Sequence, residues 1–238
     1  MRSAPINRVA PAAALAVLGA AQVLRHRSGP RAAVPVSLVA TGLLLALARR
    51  AGHSWDGLGL GPAAARRGLR HGAAAAGAVA ALYTAGALLP ATRSLFADQR
   101  AEPDLAGLLR QALVEVPLGT VLLEETAFRA VLPALLREAH GQQAAHTVPV
   151  VLFGLWHILP SAALAEANPA LAPTRATAAL GSVATTAAGG AVFAALRHRT
   201  GSLLAPVLLH TAVNSLGYAA AWTVNRHRSR RRRSGPGA

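Results

Sequence analysis

Residues 72–92 read GAAAAGAVAALYTAGALLPAT, and this stretch decides the fold class. It contains no charged side chain, and as a helix it has no polar face. An amphipathic helix of a soluble protein keeps charged residues on the side away from the core. A helix rises 1.5 Å per residue, so a run of about 20 apolar residues matches the roughly 30 Å of a bilayer's hydrocarbon core. The many alanines and glycines suit close helix packing in lipid.

Working outward, six more runs have similar length: 9–24, 32–48, 105–136, 147–165, 176–196 and 202–225. Residues 32–48 and 176–196 are likewise apolar all round apart from Ser, Thr and Gly. Only 105–136 carries Glu or Arg near its middle. The connections are short and rich in Arg, Gly and Pro, and the longest polar one is Arg49–His71. The expectation is an all-α polytopic membrane bundle of about seven transmembrane helices. Residues 1–225 would form a single integral membrane domain and 226–238 a basic, disordered tail. Arg2 and Arg8 precede the first run as they would in a signal peptide. An apolar hairpin follows at once, so the first run reads as a retained helix.

The composition agrees. Of 238 residues, 53% are hydrophobic and 14% charged, with mean hydropathy +0.38. Soluble domains carry roughly 25% charged residues. Such low charge with such high apolarity excludes a disordered chain. The absence of cysteine excludes a disulfide, a thiolate metal site and a cysteine nucleophile. The formal net charge is +15, and every basic residue is arginine. The densest cluster, Arg226–Arg233, directly follows an apolar run. That position suits anionic lipid headgroups and the fixing of topology, not nucleic acid. Arginines flanking the runs are nearly balanced between the two sides, and the basic tail is assigned to the cytoplasm. The expected location is the cell membrane, as a multi-pass protein, and the arginine and alanine bias points to a bacterial genome.

Ionisable groups inside apolar runs are costly and mark function or buried pairs. Away from segment ends they are Glu115, Glu124, Glu125, Arg129, His157 and His210. Glu125 and Arg129 stand four apart on one helical face, where a carboxylate and a guanidinium can pair as a fork. Glu124 lies about 100° around that helix and has no partner on it. His210 and Asn214 are also four apart, and His157 belongs to another segment. Glu115 takes a structural or pore-lining role. A carboxylate, two imidazoles and a carboxamide are the parts needed to activate water and to stabilise an oxyanion. No serine stands in a nucleophile-elbow pattern.

Three motifs carry a resemblance: Glu124-Glu125-Thr-Ala-Phe-Arg129, Phe153-Gly-Leu-Trp-His157 and His210-Thr-Ala-Val-Asn214. In order and context they resemble EExxxR, FxxxH and HxxxN of the CAAX protease and bacteriocin-processing (CPBP) family of intramembrane proteases. That family includes CAAX prenyl protease type 2. The resemblance spans roughly residues 55–220, including LGLGP and GLRHG upstream, with the catalytic core at about 105–220. It departs from the family pattern at Ala130, often glycine, and at Thr126, often a large aliphatic residue. The resemblance implies that Glu124 is the general base and His157 its partner on the water. It implies further that Glu125 and Arg129 orient the site and that His210 and Asn214 form the oxyanion hole. The sequence has no HExxH helix and its candidate ligands are spread over three segments, so the expectation is a metal-independent mechanism without a cofactor, with one zinc ion on Glu124, His157 and His210 as the alternative. The substrate would be a membrane-embedded or lipidated protein or peptide. Two other readings use the same residues: a catalytically silent scaffold or bacteriocin self-immunity protein, and a small proton-coupled transporter.

Overall fold

The computed structural model describes residues 9–96, 98, 104–158 and 175–233, and among these it is helical with no strand. Seven helices follow one another: α1 (Val9–Ser28), α2 (Ala33–Arg50), α3 (Pro62–Leu88), α4 (105–140), α5 (142–156), α6 (Arg175–Thr200) and α7 (Leu204–Arg233). Five described helical stretches are long and apolar enough to cross a membrane. One of these is the whole of 105–156, in which the sequence separates two segments. The backbone of Gly141 separates them too: its φ of 86° breaks the helix between α4 and α5. The left-handed region costs glycine little and other residues more. The expected fifth segment, 147–165, lies outside the described residues beyond 158.

Local sequence sets the other ends. α3 begins with Pro62 in its first turn, where a missing N–H costs nothing, and ends just before Pro90. α4 begins at Asp104, whose Oδ1 accepts from the Gly107 N–H at 2.6 Å. α6 ends at Gly201, with φ 68°. α7 continues through the basic cluster to Arg233. Position 225 therefore marks the end of the apolar surface and not the end of the helix, because arginine is a good helix former.

α4 is the axis of the bundle. Residues 123–132 are all buried, as is Val121, so no side of this segment is left uncovered. α1 and α2 form a hairpin against it, α5 and α6 pack on another side, and α7 closes a third. α4 is also irregular. The N–H groups of Val116, Leu122 and Leu132 bond to carbonyls five residues back, so 111–115, 117–121 and 126–131 are π-helical. Pro117 has no N–H to give to Ala112 in that register. The Ser215 hydroxyl from α7 donates to the Ala112 carbonyl instead, at 2.7 Å. Short π segments inside helices occur often at functional sites.

In lipid, apolar side chains gain little by leaving the solvent, so close backbone approach supplies the packing. Gly68 and Gly72, four apart, are the buried residues of α3. A Cβ at Gly72 would lie 3.0 Å from both the Cα and the carbonyl oxygen of Ala205 in α7. The GLRHG stretch is thus where α3 presses on the helix that carries His210.

Gly72→Ala is expected to force α3 and α7 apart, at a cost of about 1–3 kcal/mol for overpacking. Gly77→Ala, where a Cβ meets nothing within 4 Å, is expected to leave stability unchanged. Thermal unfolding of both variants in one detergent checks this, and equal Tm values would remove the α3–α7 contact from the account.

Candidate active site

Glu124 and Glu125 leave α4 in different directions and find different partners. Glu124 is 3% exposed and Glu125 is fully buried. The Glu124 Oε1 accepts from the indole Nε1 of Trp156, on α5, at 2.9 Å. Its Oε2 is buried and makes no hydrogen bond to any described residue. That oxygen lies 3.8 Å from His157 Nε2 and 3.9 Å from His210 Nε2. These separations are too long for direct hydrogen bonds, and one water could touch either imidazole and the carboxylate together.

The imidazoles are oriented from behind. His157 Nδ1 lies 2.7 Å from the Phe153 carbonyl, an acceptor, so Nδ1 donates and Nε2 is the nitrogen turned toward Glu124. The His157 ring also stands edge-on to Phe153, with centroids 4.6 Å apart. His210 Nδ1 lies 2.8 Å from Glu125 Oε1 and donates to it. The face of His210 stacks on Phe193 of α6, at 4.7 Å and 20°. With Nδ1 so engaged, His210 can donate from Nε2 only when the ring is doubly protonated.

Glu125 also meets Arg129, but not as a fork. Arg129 Nε lies 3.5 Å from Glu125 Oε2, and Nη1 and Nη2 make no hydrogen bond to any described residue. The guanidinium instead lies over the Phe153 ring at 3.9 Å, with Phe193 at 5.2 Å and Phe128 at 6.0 Å. A desolvated cation gains about 2 kcal/mol or more from an aromatic face. The expected bidentate pair is therefore replaced by a cation held among three phenylalanines and steered by one carboxylate. Gly190 makes room for it, since a Cβ there would lie 2.9 Å from Phe153 Cδ1 and 3.1 Å from Arg129 Nη2.

Five of the six expected site residues therefore converge: Glu124, Glu125 and Arg129 from α4, His157 from the end of α5, and His210 from α7. Asn214 sits one turn beyond His210, half-buried, and its carboxamide makes no hydrogen bond to any described residue. Glu115 is apart from them and pairs with Arg110. Trp156 also belongs to the site, because its indole holds Glu124. Phe193 likewise belongs to the site and carried no sequence signal. Its adjacency to His157 could have flagged Trp156, since neighbours at a helix end can both face one cavity. Among the described residues, no three His, Cys, Asp or Glu side chains form a group that could hold a metal ion.

Comparison with protein families gives one match: residues 107–216 match the model described as type II CAAX prenyl endopeptidase Rce1-like. This agrees with the resemblance carried by the three motifs, and the matched span contains all six expected site residues. It is narrower than residues 55–220 and leaves α1 to α3 outside. Comparisons with curated proteins and with solved structures found no match. The match covers just under half of the chain, and five described helical stretches are long and apolar enough to cross a membrane.

Arg129→Ala leaves Glu125 buried beside a vacated space. Breaking a buried pair costs about 3–5 kcal/mol, and the Tm in detergent is expected to fall accordingly. Adding Glu125→Gln removes the stranded charge and is expected to restore a large part of the loss. No recovery in the double variant would show that Arg129 serves the fold through its phenylalanine contacts alone.

Proposed function

We propose that this protein is an intramembrane endopeptidase in which Glu124 activates water against a peptide carbonyl. One observation carries the reading: a buried carboxylate oxygen without a hydrogen bond to any described residue, facing the Nε2 atoms of two imidazoles from two other segments. A group left in that condition costs free energy unless it is used. The family match over the same residues supports it.

The steps follow from the donors and acceptors. A water between Glu124 Oε2 and His157 Nε2 gives its proton to the carboxylate as its oxygen attacks the carbonyl carbon. The carbonyl π pair moves onto oxygen, which becomes an oxyanion. Donation to that oxyanion falls to the Asn214 carboxamide and to His210, which gives from Nε2 once its ring holds a second proton. Collapse of the intermediate breaks the C–N bond. Glu124 returns its proton to the departing nitrogen, giving a new C-terminus and a new amine. Glu125 holds His210 by Nδ1 throughout, and Trp156 keeps Glu124 in a single orientation. No step requires a metal ion. The substrate is a protein or peptide that presents its scissile bond at or within the bilayer, lipidated or membrane-embedded.

The test compares protein termini in membranes of cells producing the wild type or Glu124→Gln at equal levels. At least one membrane protein is expected to be cut only with the wild type. Identical termini, with Glu124→Gln folded and inserted, would overturn the assignment and favour a silent scaffold. Transport lost in Glu124→Gln without any change in termini would favour the transporter.

On the substrate so found, Glu124→Gln is expected to lose a factor of about 10²–10⁴ in kcat, the range for a general base. Asn214→Ala is expected to lose about 10²–10³, the range for one oxyanion donor. Chelators are expected to leave the rate unchanged. Inactivation by a chelator with recovery on adding zinc would replace the metal-free mechanism.

A further inference from the structure

A second polar space lies beside the site. A cavity of about 430 Å³ sits between α4, α5, α6 and the turn at residues 56–57. Its volume is that of a small-molecule site, about 300–1,000 Å³. Glu124, His157 and His210 do not line it. Its charged lining among the described residues is Arg129, Arg137 and Arg197 against one carboxylate, Asp56, with the imidazoles of His146 and His198 beside them.

Two of these cations have unmet donors. Arg129 is 4% exposed, and its Nη1 and Nη2 have no hydrogen-bond partner among the described residues. Arg197 spends Nη2 on the Gly57 carbonyl at 3.0 Å, while its buried Nε has no partner. Buried donors in this state call for an acceptor, and like charges gathered in one cavity repel until an anion enters. Guanidinium forks match the geometry of phosphate oxygens. The position adds a second constraint. Arg137 stands in the last turn of α4, Arg197 and His198 in the last turn of α6, and Gly201 in the turn that follows. The cavity therefore opens at the end of the bundle, at the level of lipid headgroups.

We propose that this cavity binds a phosphate group, supplied by the headgroup of an anionic lipid. The site is independent of peptide cleavage, and it borders the proposed catalytic centre through Arg129, which contacts Glu125, and Phe128, which packs on Trp156.

The test is native mass spectrometry of the full chain in detergent, titrated with phosphatidylglycerol, phosphatidylcholine or inorganic phosphate. Arg137 is exposed and hydrogen-bonds to no described residue, so Arg137→Gln leaves the fold intact, and His198→Ala serves as a second variant. The wild type is expected to retain one phosphatidylglycerol under conditions that strip phosphatidylcholine. Arg137→Gln is expected to weaken that retention about tenfold, the effect of one charge-assisted hydrogen bond. Binding of inorganic phosphate with no retention of phosphatidylglycerol would keep the phosphate site and overturn the lipid as its source. Equal retention of both lipids, or retention unchanged in Arg137→Gln and His198→Ala, would overturn the proposal. None of these readouts needs protease activity.

Discussion

The hydrogen bond from the Trp156 indole to Glu124 Oε1, at 2.9 Å, is the contact on which the rest of the site depends. It ties α5 to α4 at the level of the catalytic candidate and satisfies one carboxylate oxygen. The other oxygen is left bare. An unpaired buried charge is expensive, by several kcal/mol even after relaxation. The bundle carries that cost in its most buried segment, where α4 is covered on every side. A carboxylate placed on a lipid-facing side could neither be held there nor keep its free oxygen reserved for a reacting molecule.

The second carboxylate, one residue on, does the opposite work. Glu125 faces His210 Nδ1 at 2.8 Å and Arg129 Nε at 3.5 Å, and it fixes what surrounds the reaction without facing it. Two adjacent glutamates on one helix thus divide the labour by angle. The aromatic residues complete the division. Phe153 supports Arg129 with its ring, lines one side of His157, and fixes the His157 tautomer with its carbonyl. Phe193 stacks on His210. The side chains that position the polar groups are themselves apolar, which lets the whole assembly sit among helices in a membrane.

Much of the fold could be read from where charge is missing, because the bilayer forces length and apolarity on each helix. Among the described residues each run overlaps a helix, and five helical stretches are long and apolar enough to cross a membrane. The i,i+4 spacings of Glu125 with Arg129 and of His210 with Asn214 could be read too, because they depend on one helix alone. Contacts between helices could not. Nothing in the periodicity of 147–165 says that Trp156 reaches Glu124, or in 176–196 that Phe193 stacks on His210. The fork expected for Glu125 and Arg129 fails for the same reason, since Phe153 from another helix competes for the guanidinium. The π-helical register of 111–121 and 126–131 has only Pro117 as a local mark. The end of α7 at Arg233 was hidden because hydropathy reports the edge of the membrane and not the end of a helix.

The chain contains three tryptophans, so its ¹⁵N-indole spectrum carries three signals. Trp156→Phe assigns one of them, and the spectrum of Glu124→Gln in the same detergent then reads the central contact directly. The account predicts that the Trp156 indole signal moves when the carboxylate becomes an amide, while those of Trp55 and Trp222 stay in place. A Trp156 signal that does not move would mean that α4 and α5 do not bring these two side chains together, and the site as described would not exist.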